Sequence, residues 1–372
     1  MKPRVHSLDL IRVLATVMVV VVHTRGFFFA WDTAPAVFLV LRAFGTLGVP
    51  LFVLLSGYLM FDRPYEDPMY LKHYMSSNLL PLIVSFELWN VLWFILDQIS
   101  FLAYPGGGFP IDAERAIKSA LFIGDTGSAL WYLPMTIGLY LGIPIASVAI
   151  RKLADFDEKY TKLILFALFY FGTVIPSSRL ILQFAGHEGA IHSVLSMNIF
   201  GASVWGDSVW MLYILSGWAI KNERLRRIPS IMLLLCGFII PLISAIALDY
   251  LAVVGIGKTP LQAYSFILYV IMAISLFELL VRQEDRLSRV NGRILLRLAG
   301  LSRASFCIYM VHLFIFGLMY HIGVPDVCLG LAVPTRVFAY IAVVAVVVVL
   351  SRLVAVCLCR VRCISRWLLL MK

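Results

Sequence analysis

Residues 9–26 read DLIRVLATVMVVVVHTRG. The run is long and apolar enough to sit in lipid, yet it carries Asp9, Arg12 and His23, the kinds of side chain that lipid penalises most. Such groups do not face acyl chains; they turn towards neighbouring helices or a wet cavity. Arg12 and His23 lie eleven residues apart, which in an α-helix is three turns plus about 20°. They therefore share one face, about 16 Å apart along the axis. Asp9 is one turn before Arg12 and is placed to pair with it.

The rest of the chain extends that reading. Of its 372 residues, 61% are hydrophobic and only 14% charged, with a mean hydropathy of +0.93. A water-soluble domain of this size needs more polar surface, so the class is an all-α polytopic membrane protein. A hydrocarbon core about 30 Å thick takes about 20 helical residues. Apolar runs of that length recur at 8–29, 36–61, 75–96, 129–150, 161–178, 199–220, 228–249, 262–281, 301–320 and 335–358. Ten helices are expected, forming one transmembrane domain over 1–372. The first run has no small-residue cleavage site, so it reads as a span and not as a signal peptide.

The net charge of +10 follows the topology. With the N-terminus inside, Lys2, Arg4, Arg63, Lys72, Arg151, Lys152, the basic residues of 221–227 and 282–303, and Arg360, Arg362 and Arg366 all fall on the inner side. The outer segments hold little beyond Arg115, Lys118, Arg179 and Lys258. That asymmetry places both termini in the cytoplasm. It accounts for the charge through membrane lipids and orientation, and nucleic acid is not an expected partner. The six cysteines form no paired framework, and C-x-C-x3-C at 357–363 lacks a fourth ligand, so no metal is expected.

Further polar residues interrupt the other spans. Helix 2 carries Arg42 and then GVPLFVLLSGYLM at 48–60, where Ser56 and Gly57 permit close backbone approach. Glu87 and Asn90 in helix 3 and Asp207 in helix 6 are candidate ion-pair partners for Arg12, Arg42 or a histidine. Helix 4 opens WYLPMTIGLYLGIP at 131–144, with Trp131 and Tyr132 in an outer aromatic belt or at a site. In helix 9, Ser302, Ser305, Tyr309 and His312 recur at helical spacing and make one polar stripe. The stripe either binds substrate or joins helices. Outer segment 97–128 contains PGGGFP and then a helical pattern, read as a short amphipathic helix or an interfacial linker. Signatures of soluble enzymes (G-x-S-x-G, H-E-x-x-H, a P-loop) are lacking.

The arrangement resembles the acyltransferase-3 family of integral membrane O-acyltransferases, in particular the stand-alone surface-polysaccharide O-acetyltransferases. The resemblance rests on Asp9-x-x-Arg12, Arg12-x10-His23, VPLFVLLSGYL at 49–59, LWYL with GLYLGIP over 130–144, and SFCIYMVH at 305–312. It implies a catalytic His23, assisted by Arg12 and Asp9. Arg42, Ser56, Glu87, Trp131, Tyr132, Tyr309 and His312 are the expected substrate-binding residues. It further implies acyl-CoA, in the commonest case acetyl-CoA, as donor substrate with no permanently bound cofactor. The implied acceptor is a hydroxyl of a surface or lipid-linked polysaccharide, and the implied location the bacterial cytoplasmic (inner) membrane. Acceptor selectivity is expected in the outer segments 97–128 and 176–198. In two places the chain departs from the family pattern: Thr46 replaces a common arginine before Pro50, and Val13 follows Arg12 where glycine is usual. The competing class is a transporter or flippase with the stripes lining a path, which predicts matched broken helices in the two halves.

Overall fold

The computed structural model describes residues 4–102, 117, 130–187, 208–257 and 263–370, with side chains up to residue 95 in the first of these stretches. Among the described residues there is helix and no strand. Ten apolar helices follow in chain order: α1 (His6–Phe27), α2 (Pro35–Met60), α3 (Pro68–Ile95), α4 (Tyr132–Phe156), α5 (Glu158–Phe184), α6 (Val209–Lys221), α7 (Ser230–Val253), α8 (Ile267–Val281), α9 (Gly292–His321) and α10 (Val333–Leu358). All but the shorter α6 and α8 are long and apolar enough to cross a membrane. Each coincides with one of the ten expected runs. Most of the outer segment 97–128, Asp207 of helix 6, and the distal part of 176–198 lie outside the described residues.

The helices begin earlier than hydropathy alone suggests where a cap is present. Asp67 accepts the Met69 N–H at 2.9 Å and Pro68 takes the first helical position, so α3 starts seven residues before its apolar run. The same holds at α9, where Asn291 accepts the Arg293 N–H at 2.9 Å and an arginine-rich turn precedes the apolar part. Hydropathy windows score such polar first turns as loop.

Burial sorts the helices. The central stretches of α1, α2 and α9 are 56%, 61% and 56% buried, against 28% for α5 and 22% for α7, so the first three carry the core and the others face outward. Helix α1 packs against α2, α8, α9 and α10. The tightest crossing joins α2 to α6, where Gly57 and Gly217 face each other's helices. A Cβ on Gly57 would collide with the Ile214 carbonyl, and one on Gly217 with the Leu54 carbonyl. Lipid offers no hydrophobic drive between helices, so backbone contact through small residues supplies the packing.

Among the described residues three spans contain a single π turn, at Met75–Leu79, Tyr170–Val174 and Leu235–Ile239. Each is followed two residues later by proline: Pro81, Pro176 and Pro241. Proline lacks an N–H and its ring crowds the carbonyl four residues back, here that of Ser77, Gly172 or Gly237. Each of those carbonyls sits inside the widened turn, which makes the room. At these three positions the helix is widened and continues past the proline. The span α2 is interrupted at Leu47, and Pro50 lies in the first turn of its second piece, Gly48–Met60; Pro134 lies in the first turn of α4, and Pro144 is accommodated within α4.

Hydrogen bonds sort the connecting segments into two groups. At one end, the Glu284 carboxylate accepts the N–H groups of His6 (2.9 Å) and Ser7 (2.6 Å), capping α1. There too Lys221 pairs with Asp62 at 3.5 Å and Arg151 with Glu66 at 2.9 Å. Arg282 holds Glu278, Ser230 and the carbonyls of Leu225 and Ile228. At the other end, Tyr213 donates to the Tyr264 carbonyl (2.8 Å), Ile267 N–H to Ser177 (2.8 Å) and Arg336 to the Phe28 carbonyl (3.4 Å). The segments expected to share the inner side thus meet one another. We call theirs the basic end.

Candidate active site

The three polar groups of α1 find different partners. Buried Asp9 takes a two-pronged contact from Arg4, Nε at 2.5 Å and Nη2 at 2.9 Å, while Arg12 stands 3.8 Å away. The expected Asp9–Arg12 pair is thus secondary. Arg12 instead donates to Ser302 Oγ at 2.9 Å, the first residue of the α9 stripe. The stripe faces α1.

One turn short of the far end of α1, His23 meets the other end of that stripe. His312 is fully buried, its Nδ1 2.6 Å from the Tyr309 carbonyl and its Nε2 3.3 Å from His23 Nδ1. His23 Nδ1 also lies 2.9 Å from the Val19 carbonyl. A carbonyl only accepts, so in neutral rings both Nδ1 atoms carry the proton. His312 Nε2 is then an acceptor for His23, and His23 Nε2 is left with its lone pair. The two rings are tilted, with centroids 5.2 Å apart.

A cavity of about 870 Å³ opens between α1, α2, α3, α4 and α9. Arg12, Ser56, Phe52, Tyr140, Tyr132, Ser305 and Tyr309 line it; Arg63, whose carbonyl accepts from Arg151, marks its basic-end mouth, and His73 and Arg366 are also in its wall. Three arginines and a histidine line it, and among the described residues no carboxylate does. Ser56 returns its hydroxyl hydrogen to the Phe52 carbonyl at 3.1 Å. The inner wall is a chain of rings: Phe52 to Tyr132 (6.2 Å), Tyr132 to Tyr309 (5.6 Å), Tyr309 to His312 (6.0 Å). His23 and His312 lie behind this wall. The π turn before Pro81 brings Ser77 and Asn78 into the cavity lining.

Other expected site residues lie elsewhere. Arg42 pairs with Asp249 of α7 at 3.9 Å. Glu87 makes no ion pair among the described residues and does not line the cavity. Trp131 stacks in an aromatic cluster with Tyr264 (5.7 Å) and Trp210 (6.2 Å) at the end opposite the basic mouth. Sequence reasoning counts Arg63 and Arg366 as topological charges and passes over His73 and Tyr140. Their only sequence signal is a place near the basic side, because loops that are far apart in sequence converge only in the fold. Among the described residues no three His, Cys, Asp or Glu side chains converge as a metal site, and the cysteines are free.

A helical bundle with a cation-lined cavity, and a histidine pair joined behind its ring wall, defines a multi-pass membrane protein with an internal polar site. The family model described as an acyltransferase domain matches residues 5–356, nearly the whole chain. The chain belongs to the acyltransferase-3 family and is a membrane acyltransferase. No curated protein and no solved structure matches it.

Proposed function

We propose that the protein moves an acyl group, acetyl in the simplest case, from cytoplasmic acyl-CoA to a hydroxyl of a surface or lipid-linked glycan. The observation that carries the reading is the charge of the cavity: three arginines and a histidine in its lining, no lining carboxylate among the described residues, and in its wall Tyr309, whose ring lies 6.0 Å from that of His312. An anionic donor is held by its phosphates at Arg63, His73 and Arg366, with its thioester arm directed past Arg12 and Ser56. Positive-inside orientation turns the basic-end mouth to the cytoplasm.

In this mechanism His23 Nε2, unprotonated and oriented through Nδ1, takes the proton of the acceptor hydroxyl. The oxygen adds to the thioester carbonyl, giving a tetrahedral oxyanion. Its collapse expels the CoA thiolate, which receives the proton from the His23 imidazolium, leaving an ester and free CoA. His312 is a positioning residue, holding His23 in the reactive tautomer as a third group does in other nucleophile–base systems. Tyr309 and Tyr132 stand between donor arm and histidine, so their rings must part for the thioester to arrive.

The test is acylation of cell-surface glycan in intact cells, followed by mass spectrometry with the wild-type gene, with His23→Ala and with no gene. Glycan acetylation that depends on the gene and is abolished by His23→Ala at normal protein level is the expected result. Acetylation retained in His23→Ala sinks the assignment.

A further inference from the structure

We infer that the segment after α10, residues 359–370, is part of the donor site, and that Arg366 grips a phosphate of the donor; this rests on the acyl-CoA reading above. The family match ends at residue 356, yet the chain does not leave the bundle there. A short helix, Arg362–Trp367, packs on α3, and Leu369 behind it is 1% exposed.

The tail is fixed by one carbonyl. Ser85 Oγ and Trp89 Nε1, one turn apart on α3, both donate to the Leu368 oxygen at 2.9 Å. A carbonyl just past a helix end has no helical partner, and in an apolar setting that is costly; two side-chain donors satisfy it and set the tail's height. With Leu368 held so, Arg366 and Leu370 become cavity wall, sharing it with Arg63 and His73.

Arg366 is exposed and oriented. Its guanidinium lies over the neighbouring Trp367 ring, 5.0 Å from the centroid. Among the described residues no carboxylate pairs with it, and none lines the cavity. A planar cation stacked on an aromatic ring presents its N–H edge outward, the geometry that takes phosphate oxygens in pairs. The phosphate comes from the donor or from a lipid headgroup, and the position in the cavity wall favours the donor.

The experiment uses the full chain in nanodiscs of phosphatidylcholine or of phosphatidylglycerol and measures equilibrium binding of radiolabelled CoA. Arg366→Ala is expected to weaken CoA binding about ten-fold in both lipids, with Arg366→Lys in between. Trp89→Phe, which keeps the ring but loses the bond to Leu368, is expected to weaken it with Arg366 still present. Where Arg366→Ala does not fold, Arg366→Gln makes the same comparison. CoA binding at wild-type strength in a folded Arg366 variant overturns the inference. So does a loss confined to phosphatidylglycerol, which would mean that the guanidinium holds a lipid phosphate. Wild-type protein that binds no CoA removes the donor reading itself.

Discussion

The two ends of α1 solve the same problem by opposite means. At the basic end, Arg4, Asp9, Arg12 and Ser302 join through ionic hydrogen bonds, and Glu284 caps the first N–H groups. At the other end, the hydrogen-bond partners of His23 among the described residues are neutral, the carbonyl of Val19 and the ring of His312. Ionic bonds near an open cavity can be traded for water or ligand at small cost. Buried neutral ones cannot, since a lost partner leaves a polar group dry. The difference teaches where precision is kept: the charged end accommodates a ligand, and the neutral end holds one atom, His23 Nε2, in one state.

Breaking the neutral end has the largest expected effect. His23→Ala is expected to lower acyl transfer roughly 100-fold or more, read as glycan acylation per unit of protein. Next comes His312→Leu, expected to lower turnover about ten-fold or more by releasing the His23 tautomer. His312→Gln, whose amide oxygen can accept from His23 Nδ1, is expected to recover part of it. Equal loss in both variants would show that His312 only fills space. At the charged end, Arg12→Lys keeps the charge and loses the planar guanidinium whose Nη1 donates to Ser302 and stands 3.8 Å from Asp9. A KM for acyl-CoA raised by roughly ten-fold or less with little change in kcat is expected, and a kcat loss alone would put Arg12 in the chemistry.

The smallest effect sharpens the comparison through pH. Burial pushes the Glu284 carboxyl up, but the hydrogen bonds from Ser7 and His6 more than reverse this, and its pKa lies below the usual glutamate range. Its contribution is therefore complete above the unfolded value of about 4.3 and is lost as pH falls through the lower folded value. Glu284→Gln is expected to destabilise by about 1 kcal/mol at neutral pH, as for loss of a helix cap. The gap to wild type is expected to close as the medium is acidified, measured by thermal unfolding in detergent. A gap that stays constant down to strongly acidic pH would remove the carboxylate from the account.

Much of this is legible in the sequence. The ten runs fall on ten helices, because an apolar stretch of that length has few other fates. Helical phase puts Arg12 and His23 on one face and Ser302 to His312 in one stripe, and the fold sets face against stripe. The pairing itself is not legible, because nothing local says which helix a stripe meets 289 residues away. Asp9 shows the same gap. Its near neighbour Arg12 is the obvious partner, but Arg4, in the segment just before the helix, can turn back onto it with both nitrogens. Arg42 finds Asp249, a residue that hydropathy hides inside the apolar run of α7. The tail reads only as inner charge, since six residues of helix beyond a span carry no sign of folding back.

The π turn at Met75–Leu79 has a reach beyond its own proline. It takes in one residue more than an α-turn, so everything after it on α3 is rotated by about 100° relative to an uninterrupted helix. Ser85 and Trp89 lie after that shift, and it is in the shifted phase that they point at Leu368. Straightening that turn with every residue kept would swing both donors off the tail, whereas deleting one residue between 75 and 79 along with the widened turn would leave them in phase. Pro81 thus acts as an indexing peg: it sets the phase in which α3 clasps the end of the chain.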